Sequence, residues 1–431
     1  MGSMSPAMAP VLDRPTVERV GQLQDPGRSV TPDSPSAQTE NSTLDTGPGR
    51  ARRRRVRQFL RRRWKRVLVV MVVALGPAAY SYATYLTEPG TASVGERSVD
   101  WLRDHGGDGT VNRIEQWWYT RTPPGDAVPA ASMLPATTAP VPARGASRLT
   151  AAASSAPADL VALSPGPMAG EGVWTPGVQR VDDQPVLYTT FLRPDPANTS
   201  VVAGVIQFDQ HLVRTVAVPG TNEPGGSGWA WNSQIPVAER STLVAAFNSG
   251  FKFRHIDGGY YTEGRTAQPL VDGDASLVID DTGTIDIGAW GSDVTMGPTV
   301  ASVRQNLHLI VDNGVVVSDL KHNRTGKYGI PRHQLQFTWR SGVGVTADGS
   351  IVYVAGNKMT MSSLAAALAD AGAVRGMQLD IHTSQVTATL FTPVDGTATG
   401  VTGAKLLPNM PKPVTRYLKT DQRDFFAVFV R

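Results

Sequence analysis

The chain has 431 residues, enough for two or three ordinary domains, and 41% of them are hydrophobic, so a sizeable core can be buried. Its formal charge of +4 is local: residues 50–66 hold eleven Arg and Lys and no acid, leaving 30 basic against 37 acidic residues elsewhere. A globally basic nucleic-acid binder is thereby excluded, and the lack of cysteine excludes disulfides and thiolate zinc sites.

From the N-terminus, residues 1–49 are rich in Pro, Ser, Thr and Asp without periodicity, which predicts a disordered cytoplasmic tail. The basic juxtamembrane cluster 50–66 follows. Val67 to Leu86 then runs 20 residues without a charge, about the length that crosses roughly 30 Å of hydrocarbon. Residues 67–87 are therefore expected to form one transmembrane helix. The long segment ahead of it argues for a retained signal anchor over a cleaved signal peptide. Arginines on the near side, with Tyr80, Tyr82 and Tyr85 on the far side, place the N-terminus in the cytoplasm and the C-terminal domain outside the cell membrane.

Residues 88–120 have scattered helical spacing in Val99, Leu102, Val111, Ile114, Trp117, Trp118 and Tyr119. They predict a juxtamembrane helical segment whose aromatics pack on the main domain or lie at the lipid surface. Residues 121–170 are dominated by Pro, Ala, Ser and Thr and read as a stalk carrying the folded part away from the bilayer.

Residues 171–431 have the texture of a globular domain of short strands. Pro185 to Arg193, Val201 to Gln207 and Leu212 to Val218 read as strands, as does Phe425 to Val430. Three hairpins are predicted: Ser276 to Ile287 around Asp280–Gly283, Leu307 to Val317 around Asn313-Gly314, and Arg340 to Val354 around Asp348-Gly349. One convincing helix spans Met361 to Ala371, with Thr360 as cap and Gly372 at its end, and a short one is placed near Val300 to Gln305. The fold class is α+β, strand-dominated with mixed or antiparallel sheets and few helices, preceded by one transmembrane helix.

Gly-x-Ser-x-Gly, His-Glu-x-x-His and phosphate-loop motifs are absent. Asp272-Gly273-Asp274 begins like a calcium loop but has Leu277 and Gly283 where Gly and Glu are required, so no metal and no cofactor is expected. What remains is polar residues in non-helical places. Asn248, in Asn248-Ser249-Gly250-Phe251, ends an apolar strand in a turn that presents an amide. Lys252, Arg254, His255, Arg265, Lys321, Arg324, Lys327, Arg332, His333 and Arg340 concentrate cations in loops of a domain that is net acidic, as an anion such as phosphate requires. Trp229, Trp231, Tyr260, Tyr261, Trp290 and Trp339 could stack on sugar faces, and Asp380 puts a lone carboxylate at the end of a buried strand.

Residues 243 to 394 resemble the phosphodiester glycosidase domain family. Asn248-Ser249-Gly250-Phe251 matches its Asn-Gly-Gly-Phe turn, and Arg340-Ser341-Gly342-Val343-Gly344 with Asp348-Gly349 its Arg-containing strand and hairpin. Leu364-Ala365 and Gly372-Ala373 flank the matching helix, and Leu379-Asp380-Ile381-His382-Thr383-Ser384 stands where the family has Leu-Asp-Gly-Gly-Gly-Ser. Ile381, His382 and Thr383 in place of three glycines mark a divergent bacterial branch.

The resemblance implies hydrolysis at the anomeric carbon of a sugar linked to phosphate. On that expectation Asp380 is the catalytic carboxylate, His382 an acid/base and Glu263 a candidate second acid. Arg340 and Arg265 would hold phosphate, and Asn248 and Ser384 the substrate's hydroxyls. The expected partner is an envelope glycan or phosphoglycan, with no nucleic acid. Two other readings stay open: a membrane-tethered, non-catalytic glycan-binding module, and a membrane-anchored assembly scaffold docking partners through Trp117-Trp118-Tyr119.

Overall fold

The computed structural model describes residues 48–88, 90–121, 123–135, 156–330, 335–394, 397 and 400–431. The predicted tail up to residue 47, Arg332, His333 and the middle of the predicted stalk lie outside the described residues. The chain divides into two compact units, residues 1–72 and 73–431. Helix α1, Pro48–Thr87, runs through the basic cluster and on through the apolar run, with Pro77 inside it. Its segment Arg63–Thr87 is long and apolar enough, by length and composition, to cross a membrane.

In the second unit the end of α1 is followed by α2, Val94–Leu102, which opens on a capping box between Ser93 and Glu96. A kink at Arg103–Gly107, where Gly106 takes φ +85°, leads into α3, Asp108–Arg121. This hairpin packs back along the last turns of α1. Trp101 donates to Ser81 Oγ at 3.1 Å, the Tyr82 and Ser98 hydroxyls are 2.6 Å apart, and the buried Arg97 guanidinium collects the carbonyls of Tyr85, Glu88, Gly90 and Ala92.

The two described ends of the predicted stalk are docked on the domain rather than extended from it. Ser200 N–H donates to the Gly125 carbonyl at 3.1 Å, Leu160 N–H to Gly172 at 3.0 Å, and Ser164 Oγ to Arg193 at 2.6 Å. Leu134 and Met168 pack against the main core. A Pro- and Ala-rich composition permits extension but does not enforce it when apolar side chains have a surface to cover.

Among the described residues, fifteen strands of three residues or more carry the domain: β1 Leu187–Leu192, β2 Ala203–Phe208, β3 Val213–Val218, β4 Leu243–Asn248, β5 Tyr260–Thr262, β6 Arg265–Gln268, β7 Ala275–Asp280, β8 Ile285–Ala289, β9 Val300–Gln305, β10 Thr338–Thr346, β11 Ile351–Met359, β12 Ala373–Ile381, β13 Ala388–Pro393, β14 Val401–Lys405 and β15 Phe425–Val430. Every ladder between named strands is antiparallel. One sheet runs β1-β2-β11-β10-β12 with two-residue strands at both edges, the second β8-β7-β9-β5-β6, and the third β14-β13-β4-β15-β3. Their inner faces share one core in which the Phe247 ring lies 4.7 Å from Tyr353, 5.5 Å from Phe426 and 6.3 Å from Phe208.

Helix α4, Met361–Asp370, covers the other face of the first sheet. Thr360 and Ser363 form a capping box, and Leu364, Ala365, Ala367 and Leu368 are fully buried against Val205, Val352 and Val354. Gly342 on β10 lets it approach: a Cβ there would lie 2.9 Å from Leu368 Cδ1. Two expectations are corrected. Val300–Gln305 is a strand between β7 and β5, not a helix, because its β-branched residues fill a central sheet position. The Asn313-Gly314 turn forms, yet its arms pair only over Val311–Asp312 and Val315–Val316.

Candidate functional site

The site lies where the end of β4 meets the end of β12. Strand β4 terminates in Asn248, and the Ser249 carbonyl accepts from Asp380 N–H at 3.0 Å, so two sheets are tied together at the acid. Asp380 is buried. Its Oδ1 accepts from Ile381 N–H at 2.8 Å and its Oδ2 from Arg423 Nη2 at 2.6 Å. Burial raises its pKa above the ordinary carboxylate value, while the Arg423 guanidinium pulls it back down. Arg423 reaches in from the turn before β15, also donates to the Gly250 carbonyl at 2.9 Å, and has its own pKa raised by Asp380 and Glu223 against the cost of burial.

Two further buried pairs brace that turn. Arg304 Nε holds Asp424 at 2.8 Å, and Arg416 Nε holds Asp421 at 2.8 Å. Such pairs are costly to desolvate and fix geometry more than they add stability. Here they fix the guanidinium that faces Asp380.

Asp380 and Arg423 line a cavity of about 350 Å³, the low end of the range for small-molecule sites. Arg340 lines it too. Its side chain is buried, donating to the Met359 carbonyl at 2.9 Å and the Gln336 carbonyl at 3.3 Å, and desolvation pulls its pKa down to about 10. Lys252 and Arg254 enter from the loop after β4, and burial lowers both. His255, beside them, is pushed down to about 3 by burial and by Arg254 and Lys252, so it is neutral at any physiological pH. Phe251, Leu307, Ile330 and Met361 give the cavity an apolar side. Gln378 Oε1 and Arg423 Nε, on lining residues, are buried with no hydrogen-bond partner among the described residues. Orphaned polar atoms of this kind in a cavity wall suit a polar ligand.

The residues singled out from the sequence divide between places. Asp380, His382, Arg340 and Ser384 share this cavity. His382 holds a left-handed φ of +78°, a conformation glycine adopts without strain, and its ring stacks on Tyr119 of α3 at 6.1 Å. Ser384 Oγ accepts from Gln385 at 3.2 Å.

Asn248 does not reach the cavity. Its carboxamide donates to Ser249 O and Ser341 Oγ and accepts from the Tyr353 hydroxyl and Thr387 N–H, which saturates it as an internal cross-link. Glu263 lines a different groove, of about 480 Å³, with Trp231 and Tyr261, where its carboxylate accepts from Ala230 N–H. Arg265 secures the neighbouring loop through the Ser227 carbonyl and lies 3.6 Å over the Trp229 ring. Lys327 pairs with Asp319, and Arg324 borders a separate surface hollow.

Sequence reasoning missed Arg423, Gln378 and the contribution of the α2–α3 hairpin. Asp100, Arg103 and Asn112 line the cavity, and Asp100 pairs with Lys252 at 3.0 Å. The dense charge of Asp421 to Asp424 directly before the apolar run 425–430 is a signal that could have singled out Arg423, though not its partner.

Comparison with known proteins gives the following. The model of the family described as phosphodiester glycosidase matches residues 241–384. No curated protein matches the chain. Among solved structures, the zebrafish N-acetylglucosamine-1-phosphodiester alpha-N-acetylglucosaminidase catalytic domain, auto-inhibited by its pro-peptide, is 16% identical over 58% of this chain and 85% of that one, with a TM-score of 0.39. A hypothetical protein from Synechocystis is 14% identical over 60% of this chain and 64% of that one, at a TM-score of 0.34. A putative exported protein from Burkholderia pseudomallei is 12% identical over 55% and 75%, at 0.32.

Proposed function

We propose that this chain is a membrane-anchored glycosidase that hydrolyses sugar–phosphate diesters of the cell envelope, with Arg63–Thr87 as its anchor and the sheet domain outside the membrane, a reading supported by the match of residues 241–384 to the phosphodiester glycosidase family model. The observation that supports it most is Asp380, a buried carboxylate ion-paired to Arg423 in a cavity that also presents Arg340, Lys252 and the orphaned Gln378 acceptor.

In this reading the sugar's anomeric carbon faces Asp380, and the phosphate lies toward Arg340, Lys252 and Arg254. The bond from the anomeric carbon to the phosphate oxygen breaks and a water oxygen bonds to that carbon. Asp380 stabilises the positive charge that develops there and passes the water's proton toward the leaving phosphomonoester. A phosphomonoester leaves readily, so the demand falls on charge stabilisation and positioning. The cations supply both, and the buried Arg423 keeps Asp380 aimed. His382 and Ser384 stand beside Asp380 where they meet the sugar's hydroxyls.

The test is ³¹P detection of phosphomonoester release from a panel of sugar-1-phosphodiesters by the full-length protein in lipid nanodiscs. Asp380→Asn is expected to cut turnover by about a hundredfold or more. The carboxamide oxygen can still accept from Arg423, but the guanidinium loses its counter-charge, so the variant should melt lower, and a thermal melt run beside the assay checks that it is folded at the assay temperature. Turnover unchanged in that variant would remove Asp380 from the mechanism.

A second reading, a tethered glycan-binding module without catalysis, is favoured by one feature. Ile381 and His382 fill the place of two glycines beside the acid, and His382 is stacked on Tyr119. Retained binding of phosphodiester-linked glycan with no monoester formed by the native protein would establish it.

A further inference from the structure

Helix α3 carries its apolar residues on the side away from the domain. At 100° per residue Ile114, Trp117, Trp118 and Arg121 share one face, and the three apolar side chains are 61%, 51% and 59% exposed. The opposite face, turned inward, is mostly polar: Asn112, Glu115, Gln116 and Tyr119 with Val111, Glu115 being held by Arg103 at 2.6 Å. A helix that packs for its own stability shows the reverse pattern. Arg113 and Arg121 are exposed beside the apolar residues, Arg121 lying 4.8 Å over the Trp117 ring.

Location narrows the occupant. The partner helix α2 and the kink are bonded to Ser81, Tyr82 and Tyr85, the final turns of the helix whose apolar length suits a bilayer. The kink from which α3 starts therefore sits near the level at which that helix would leave the hydrocarbon. Tryptophan with arginine at such a level is the composition of an interfacial helix on anionic lipid. The same hairpin borders the candidate cavity through Asp100, Arg103 and Asn112, and Tyr119 stacks on His382.

We propose that the outer face of α3 seats in the interfacial layer of the anionic bilayer in which the chain is anchored, and that the adjoining cavity consequently acts on sugar phosphodiesters carried by lipids of that bilayer. The second clause rests on the glycosidase reading; the first does not.

The docking is tested with full-length protein in vesicles of phosphatidylglycerol and phosphatidylcholine, with brominated phosphatidylcholine as quencher. Native tryptophan emission should contain a quenched component that is absent from Trp117→Phe/Trp118→Phe; equal quenching in both would overturn the docking, whether or not any substrate is turned over. The substrate class is tested with Ile114→Ser/Trp117→Ser. Its kcat/KM should fall about tenfold on a polyprenyl-phosphate-linked sugar in the bilayer and stay unchanged on the soluble methyl phosphodiester of the same sugar. An equal fall on both, or on neither, would overturn the lipid-borne substrate. If the native protein turns over no diester at all, that clause falls with the glycosidase reading, and the quenching result alone decides the docking.

Discussion

Asp380 and Arg340 were legible as residues of the candidate cavity because each sets a charge into a run of apolar or small residues, where a charge is costly unless it has work or a partner. Arg423 was not legible as the partner of Asp380, since it lies 43 positions away and the two meet only through the packing of one sheet end on another. Asn248 misled for the opposite reason. A glycine-flanked amide looks presented to a ligand, but here Tyr353 on β11 and Thr387 just before β13 consume it from segments that local sequence cannot show to be adjacent.

Asp274 offers a pH test. Burial, with Asp257 nearby, pushes its carboxyl up to about 6. The folded state thus holds a proton that the unfolded chain gives up near pH 4, so this residue's contribution worsens as pH rises from about 4 to 6 and stays unfavourable above. Asp274→Asn should therefore raise the melting midpoint at pH 7.5 and leave it unchanged at pH 3.5. The gain is about 1 to 2 kcal/mol after allowance for partial exposure. Thermal melts at the two pH values check the sign.

At the scale of elements, the turn of the β10–β11 hairpin and the bounds of α4 could be read almost to the residue, because turn and cap chemistry are local: Asp348-Gly349 closes one, and Thr360 with Ser363 opens the other, whereas β11 runs on to Met359, past the expected Val354. Strand β9 could not, since nothing in Val300–Gln305 alternates, and its identity comes from neighbours on both sides. The close seating of α4 on the first sheet predicts that Gly342→Ala is costly. The added methyl meets Leu368 Cδ1 at 2.9 Å and the Met377 carbonyl at 3.0 Å. Destabilisation by about 1 to 3 kcal/mol is expected, and Gly342→Ala paired with Leu368→Ala should lose less than the sum of the two single changes, as a double-mutant cycle would measure.

At the scale of the molecule, the α2–α3 hairpin is bolted to the domain by acids on one side and buried lysines on the other. Glu96 meets Lys412 at 2.6 Å, and Asp100 meets Lys252 at 3.0 Å. Burial lowers the pKa of both lysines, yet their ammonium groups have those acids as partners. Glu96→Gln/Asp100→Asn would strand two cations in a dry seam. Amide exchange across residues 94–121 should then accelerate about tenfold or more, equivalent to about 1.4 kcal/mol of lost protection. Unchanged exchange would mean that apolar packing alone holds the hairpin.

The fold-back of α2 onto Ser81 and Tyr82 has a geometric corollary. A head joined to its post by a loose cord can sweep a wide hemisphere, whereas one clamped to the last turns of its post keeps a single stand-off. Clamped in this way, the hollow around Asp380 keeps one fixed distance from the last turns of α1.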